Sequence, residues 1–129
     1  MKLVDSCVWA EVLANSPTGK TFRQQLSDPG HLLVSTLVLY EVSKWATRNM
    51  GSQEADQVLV SLLTGNVVEP NASIALHAAE LSVTYKLHAL DALIYATALE
   101  HDAELVTCDA HFKGLPRVDY TPKHLPKSK

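Results

Sequence analysis

Four of the fourteen acidic residues, Asp5, Glu41, Asp91 and Asp109, stand where a charge is costly. Glu54, Asp56, Glu100, Asp102 and Glu104, by contrast, have polar neighbours at expected helix surfaces or ends. Asp5 directly follows Lys2-Leu3-Val4, and Asp109 follows Leu105-Val106-Thr107 after one residue; both runs read as buried strands. Asp91 lies near the start of Leu90 to Leu99, a segment apolar around nearly its whole circumference and so expected to be a buried helix. Glu41 comes three residues after Val38, four after Leu37 and four before Trp45, which at helical spacing puts it on a face shared with core residues. Helix capping is the plain alternative for Asp5 and Asp91, and an ion pair with Lys44 the alternative for Glu41.

If these acids converge, like charges a few ångströms apart need a cation between them to stay ionised. A ligand set of oxygens alone favours Mg²⁺ or Mn²⁺ over zinc. The joint pattern therefore points to a divalent metal.

Positioning such a cluster requires a sheet whose strand ends share an edge. Strands are expected at residues 2–4, 32–34, 67–68 and 105–107, with a weak edge strand at Val118 and Tyr120. Helices are expected at about 7–14, 18–26, 36–48, 52–63, 72–85 and 90–101, punctuated by Asn15-Ser16-Pro17, Asp28-Pro29-Gly30, Met50-Gly51 and the turn Gly65-Asn66. This alternation predicts an α/β fold: one domain over residues 1–122, with a short, mostly parallel central sheet of four to five strands covered by helices on both faces. In parallel sheets ligand crevices open at the carboxyl edge, where Asp5 and Asp109 would meet.

At 129 residues and 47% hydrophobic content the chain suits a single domain with a real core. No run approaches the roughly 20 apolar residues of a membrane span. Asp5 interrupts any secretory apolar segment, so a cytoplasmic protein is expected. The net charge of −3 divides unevenly: Lys113, Arg117, Lys123, Lys127 and Lys129 against Asp119 give the last 17 residues +4 and leave −7 for the rest. Residues 123–129 read as a basic, poorly ordered tail. Cys7 and Cys108 fit no metal-ligand spacing and are expected to be thiols filling small core positions. His111, two residues after Asp109, reads as a surface histidine rather than a general base.

The segments LVDSCVWAE, STLVLYEVSKWATR and LDALIYATALEHDAELVTCDAHF resemble the PIN-domain nucleases, most closely the VapC-type toxins of toxin-antitoxin pairs. The last segment is the most specific, joining a D-A-x-I-x-A-x-A helix to an L-V-T-x-D strand end. The resemblance implies that Asp5, Glu41, Asp91 and Asp109 form the acidic quartet, with Ser6 and Thr107 as supporting hydroxyls. It implies a Mg²⁺- or Mn²⁺-dependent endoribonuclease cleaving RNA phosphodiester bonds by metal-activated water, leaving a 5′-phosphate and a 3′-hydroxyl. Asp5, Asp91 and Asp109 would be the nearest ligands, directly or through water, and Glu41 would orient water or hold a second ion. Lys44, Arg48, Lys86 and Lys113 are candidates for contacting RNA phosphates. The implied partners are a small DNA-binding antitoxin, whose C-terminal segment blocks the acidic groove, and a second copy in a homodimer built from the early helices. Trp9, Val12 and Leu13 would suit such a surface, although filling the core is their simpler role.

Two rivals come from other classes. A phosphorylation-dependent receiver would carry an adjacent acid pair after its first strand and an aspartate after its third; here Asp5 stands single and Val67-Val68 leads to Glu69-Pro70. A catalytically inert PIN-like module acting in a regulatory complex would be expected to have lost an acid of the quartet, and all four are present.

Overall fold

Five short strands set the frame of the computed structural model, which describes residues 1–123. They are β1 (Lys2–Val4), β2 (Leu32–Ser35), β3 (Asn66–Val68), β4 (Glu104–Thr107) and β5 (Val118–Tyr120). All neighbours pair in parallel, in the order β3-β2-β1-β4-β5. The chain builds outward from β1 on one side, through β2 and β3, then crosses to the other side for β4 and β5. That reversal places a crevice at the carboxyl ends of β1 and β4.

Six helices connect the strands: α1 (Ser6–Leu13), α2 (Pro17–Phe22), α3 (Thr36–Asn49), α4 (Ser52–Leu63), α5 (Ala72–Tyr85) and α6 (Ala89–Glu100). Residues alternate between the two faces of the sheet, as the period of two requires. Leu3, Leu33 and Leu105 join the larger core beneath α3, α5 and α6, while Val4, Leu32 and Val106 join a smaller one with Val8 and Phe22. The small residues Ala92, Ala96 and Ala98, all buried, let α6 approach the sheet closely.

Local chemistry explains the element bounds. Ser16, Ser35 and Asn71 cap α2, α3 and α5 by accepting backbone N–H bonds from Gly19, Leu37 and Ile74. Lys86 ends α5 in the left-handed region at φ 57°. Gly19 is required where α2 crosses α1, because a β-carbon there would sit 2.1 Å from the Glu11 carbonyl oxygen.

Two expectations need correction. The helix expected over 18–26 stops at Phe22 and tightens into a 3₁₀ turn, Arg23–Leu26. Asn66, expected in a turn, opens β3, and its side-chain amide donates to the Gly30 and Leu32 carbonyls at 3.2 and 3.1 Å. The expected short, mostly parallel sheet of four to five strands is present, with five strands, all parallel, including the edge strand β5. The basic tail expected over 123–129 lies, apart from Lys123, outside the described residues. Among the described residues, no helix is long and apolar enough to cross a membrane.

Candidate active site

Asp5 leaves β1 in an extended conformation and caps α1. Its Oδ1 accepts the Ser6 backbone N–H at 2.8 Å, and its Oδ2 accepts the Thr107 hydroxyl at 2.8 Å. Capping and a site role are therefore compatible, since the two oxygens are engaged separately. Thr107, the last residue of β4, accepts the Asp109 backbone N–H on the same hydroxyl at 3.0 Å. On the other side, the Ser6 hydroxyl donates to Glu41 Oε1 at 2.9 Å, tying α1 to the second turn of α3. A continuous polar chain thus runs from Glu41 through Ser6, Asp5 and Thr107 to Asp109.

Asp91 enters from the first turn of α6, whose N-terminus points at the same sheet edge. Its charge is felt on several sides. Burial pushes Asp5 from 3.8 up to about 6, against the bonds from Thr107 and Ser6, and the charges of Asp91 and Glu41 push it further the same way. Glu41 is raised by burial and by Asp91, opposed by Ser6 and Lys44. Asp91 is itself raised by burial and by Asp109, opposed by His111 and His88. Asp91 is accordingly within electrostatic reach of each of the other three expected acids.

One ligand atom each from Asp91, Asp109 and His111 lies within 4.8 Å of the others. His111 Nδ1 is 2.9 Å from Asp109 Oδ1, whose oxygen also accepts the His111 backbone N–H at 2.9 Å. The His111 ring meets the His88 ring edge-on, with centroids 6.0 Å apart. Sequence reasoning read His111 only as a surface residue and missed its pairing with His88. The signal for His111 was its place two residues beyond Asp109, where a 3₁₀ turn (Ala110–Phe112) folds it back; His88 stands three residues before Asp91.

The four basic candidates are all exposed. Lys44 lies over the Tyr40 ring at 5.9 Å and near enough to Glu41 to lower its pKa. Arg48 is in the last turn of α3, and Lys86 and Lys113 end α5 and the turn after Asp109. Cys7 and Cys108 are half-buried and buried, and their sulfurs lie 3.2 Å apart beside Asp5. Trp9, Val12 and Leu13 are partly buried and line a cavity of about 650 Å³ shared with Met50, Val58 and Leu62 of the α4 side.

A parallel α/β fold with an acidic cluster on its carboxyl edge defines the class of protein, and the comparisons agree. The family model described as PIN domain matches residues 2–118, and the chain belongs to the PIN-domain family. A toxin-antitoxin complex from Klebsiella pneumoniae contains a similar chain: 25% identity, TM-score 0.80, covering 97% of this chain and 100% of that one. VapBC2 from Rickettsia felis, bound to a DNA fragment from its promoter, shares the fold at 15% identity and TM-score 0.71, covering 95% and 98% of the two chains. So does Mycobacterium tuberculosis VapC20, described as a sarcin-ricin loop cleaving toxin, at 22% identity and TM-score 0.65, covering 81% and 85%. Comparison with curated proteins finds no match.

Proposed function

We propose that this protein is a Mg²⁺- or Mn²⁺-dependent endoribonuclease and the toxin of a toxin-antitoxin pair. The observation that supports the reading is the convergence of the acids on one sheet edge, with Glu41, Asp5 and Asp109 joined through Ser6 and Thr107 and an oxygen of Asp91 within 4.8 Å of one of Asp109. The residues fit a hard divalent cation, because carboxylate oxygens dominate and burial raises the pKa of Asp5, Glu41 and Asp91, a cost that a cation would offset. Such a cation would neutralise charge on the phosphoryl oxygens and lower the pKa of water.

The chain's own residues then have separate tasks. Asp5, Asp91 and Asp109 offer oxygens to the cation, and Glu41, steadied by Ser6, orients the attacking water in line with the leaving 3′ oxygen. Thr107 keeps Asp5 and Asp109 at a fixed separation. Lys44, Arg48, Lys86 and Lys113 hold phosphates on either side of the scissile bond. The preference for RNA draws support from the likeness to VapC20, and the expected partners, an antitoxin and a second copy, from the likeness to toxin-antitoxin complexes. A cytoplasmic site of action goes with this reading.

Purified protein without a partner, incubated with labelled RNA and Mg²⁺, should cleave it, and chelator should stop it. Asp5→Asn and Asp91→Asn should each reduce the rate at least about 100-fold. Absence of metal-dependent cleavage, or equal cleavage by these variants, overturns the reading in favour of an inert partner module.

A further inference from the structure

We propose that Cys7 and Cys108 form a redox-modification site: a dithiol that a small-molecule disulfide converts to an intramolecular Cys7–Cys108 bond, retuning the carboxylate cluster beside it. The two residues are 101 apart in sequence, yet the Cys108 thiol donates to Cys7 Sγ at 3.2 Å and the Cys108 backbone N–H donates to the same sulfur at 3.4 Å. Their backbones are held by neighbouring elements, Cys7 in the first turn of α1 and Cys108 just beyond β4, which pairs directly with β1. A disulfide of about 2.05 Å requires the sulfurs to close by roughly 1 Å, a short movement for two side chains already in contact.

Both cysteines line a cavity of about 490 Å³ with Asp109, Tyr120 and Lys123. One cysteine attacks the small disulfide: its sulfur bonds to one sulfur of the oxidant, and the other half leaves, taking up that cysteine's proton as a thiol. The second cysteine then attacks the sulfur so modified and expels the remaining half, which takes up the second proton. The protein dithiol gives up two electrons and two protons, and the oxidant is reduced to two thiols.

Oxidation reaches the acidic cluster because the Cys7 thiol also donates to Asp5 Oδ2 at 3.6 Å and lies 3.5 Å from Thr107 Oγ1. The bond removes the thiol hydrogen, and with it the donor that Asp5 Oδ2 accepts from. This coupling rests on the divalent-cation reading above; the modification itself does not.

The test treats the reduced full chain with glutathione disulfide and follows intact mass, alkylatable thiols and Mn²⁺ affinity. Wild type should lose two hydrogens and both thiols, carry no glutathionyl group, and recover with a dithiol reductant. Cys108→Ala and Cys7→Ala should each fail to lose two hydrogens, stopping at one glutathionyl group at most. Mn²⁺ affinity should fall about 10-fold on oxidation of wild type and stay unchanged in the Cys7→Ala, Cys108→Ala double variant under the same treatment. Persistent thiols, a lasting adduct on wild type, or equal Mn²⁺ affinity in both states would overturn the proposal. If the reduced protein binds Mn²⁺ yet cleaves no RNA, the nuclease reading fails while the mass and affinity results still decide this one.

Discussion

The Thr107 hydroxyl donates to Asp5 Oδ2 at 2.8 Å, joining residues 102 apart in sequence at the adjoining ends of β1 and β4. Because it also accepts the Asp109 backbone N–H, one hydroxyl positions two acids of the proposed site. Thr107→Val keeps the shape and deletes the hydroxyl, leaving a buried carboxylate without its donor. Denaturant unfolding of the metal-free protein should show a loss of about 1–3 kcal/mol, and Mn²⁺ affinity should fall about 10- to 100-fold. Thr107→Ser should retain most of both.

The raised pKa of Asp5 makes stability depend on pH. Its folded value of about 6 exceeds the ordinary 3.8, so its contribution is whole below about pH 4 and is lost as pH rises through about 6. The full difference is about 3 kcal/mol, and Asp5, at 4% exposure, is little screened by solvent. Glu41 and Asp91 are displaced in the same direction. Thermal melts of metal-free wild type should therefore show a midpoint falling over this window, and Asp5→Asn should flatten the slope. A slope unchanged by the substitution would contradict the cause assigned here.

Ser6 reaches Glu41 through its hydroxyl, but Ser6 is only half-buried and the bond should add little stability. Ser6→Ala is expected to cost about 1 kcal/mol or less in unfolding while slowing RNA cleavage about 10-fold. Parallel measurement of unfolding and cleavage separates a positioning role from a merely structural one.

Gly19 offers a contrast remote from the chemistry. A methyl group there meets the α1 backbone at Glu11 and Val12, and backbone cannot yield as a side chain can. Gly19→Ala should lower stability by about 3 kcal/mol or more. With saturating Mn²⁺, whatever remains folded should keep its metal affinity.

The elements were legible because local signals agreed with the tertiary structure. Ala72 to Tyr85 is one helix, capped by Asn71, and Ser52 to Leu63 is another, released by Met50-Gly51. Where a partner from elsewhere decided the outcome, sequence could not supply it. Asn66 joins β3 because its amide finds carbonyls at Gly30 and Leu32. The Cys7–Cys108 contact and the His88–His111 pair likewise depend on how α1, α6 and β4 meet. Each acid of the quartet was visible as a charge in an expensive setting. Their mutual reach required the strand order, which places β4 beside β1 although Val4 and its neighbour Val106 are 102 apart in sequence.

Calorimetric titration of the metal-free protein with Mn²⁺ near neutral pH tests the central claim most directly, comparing wild type with Asp91→Asn, which removes the charge shared by the other three acids. Wild type should bind with saturation and release protons, since Asp5, pushed up to about 6 by burial, must ionise fully, and Asp91→Asn should bind at least about 10-fold more weakly. Equal affinity in the two proteins, or no saturable binding by wild type, would contradict the account.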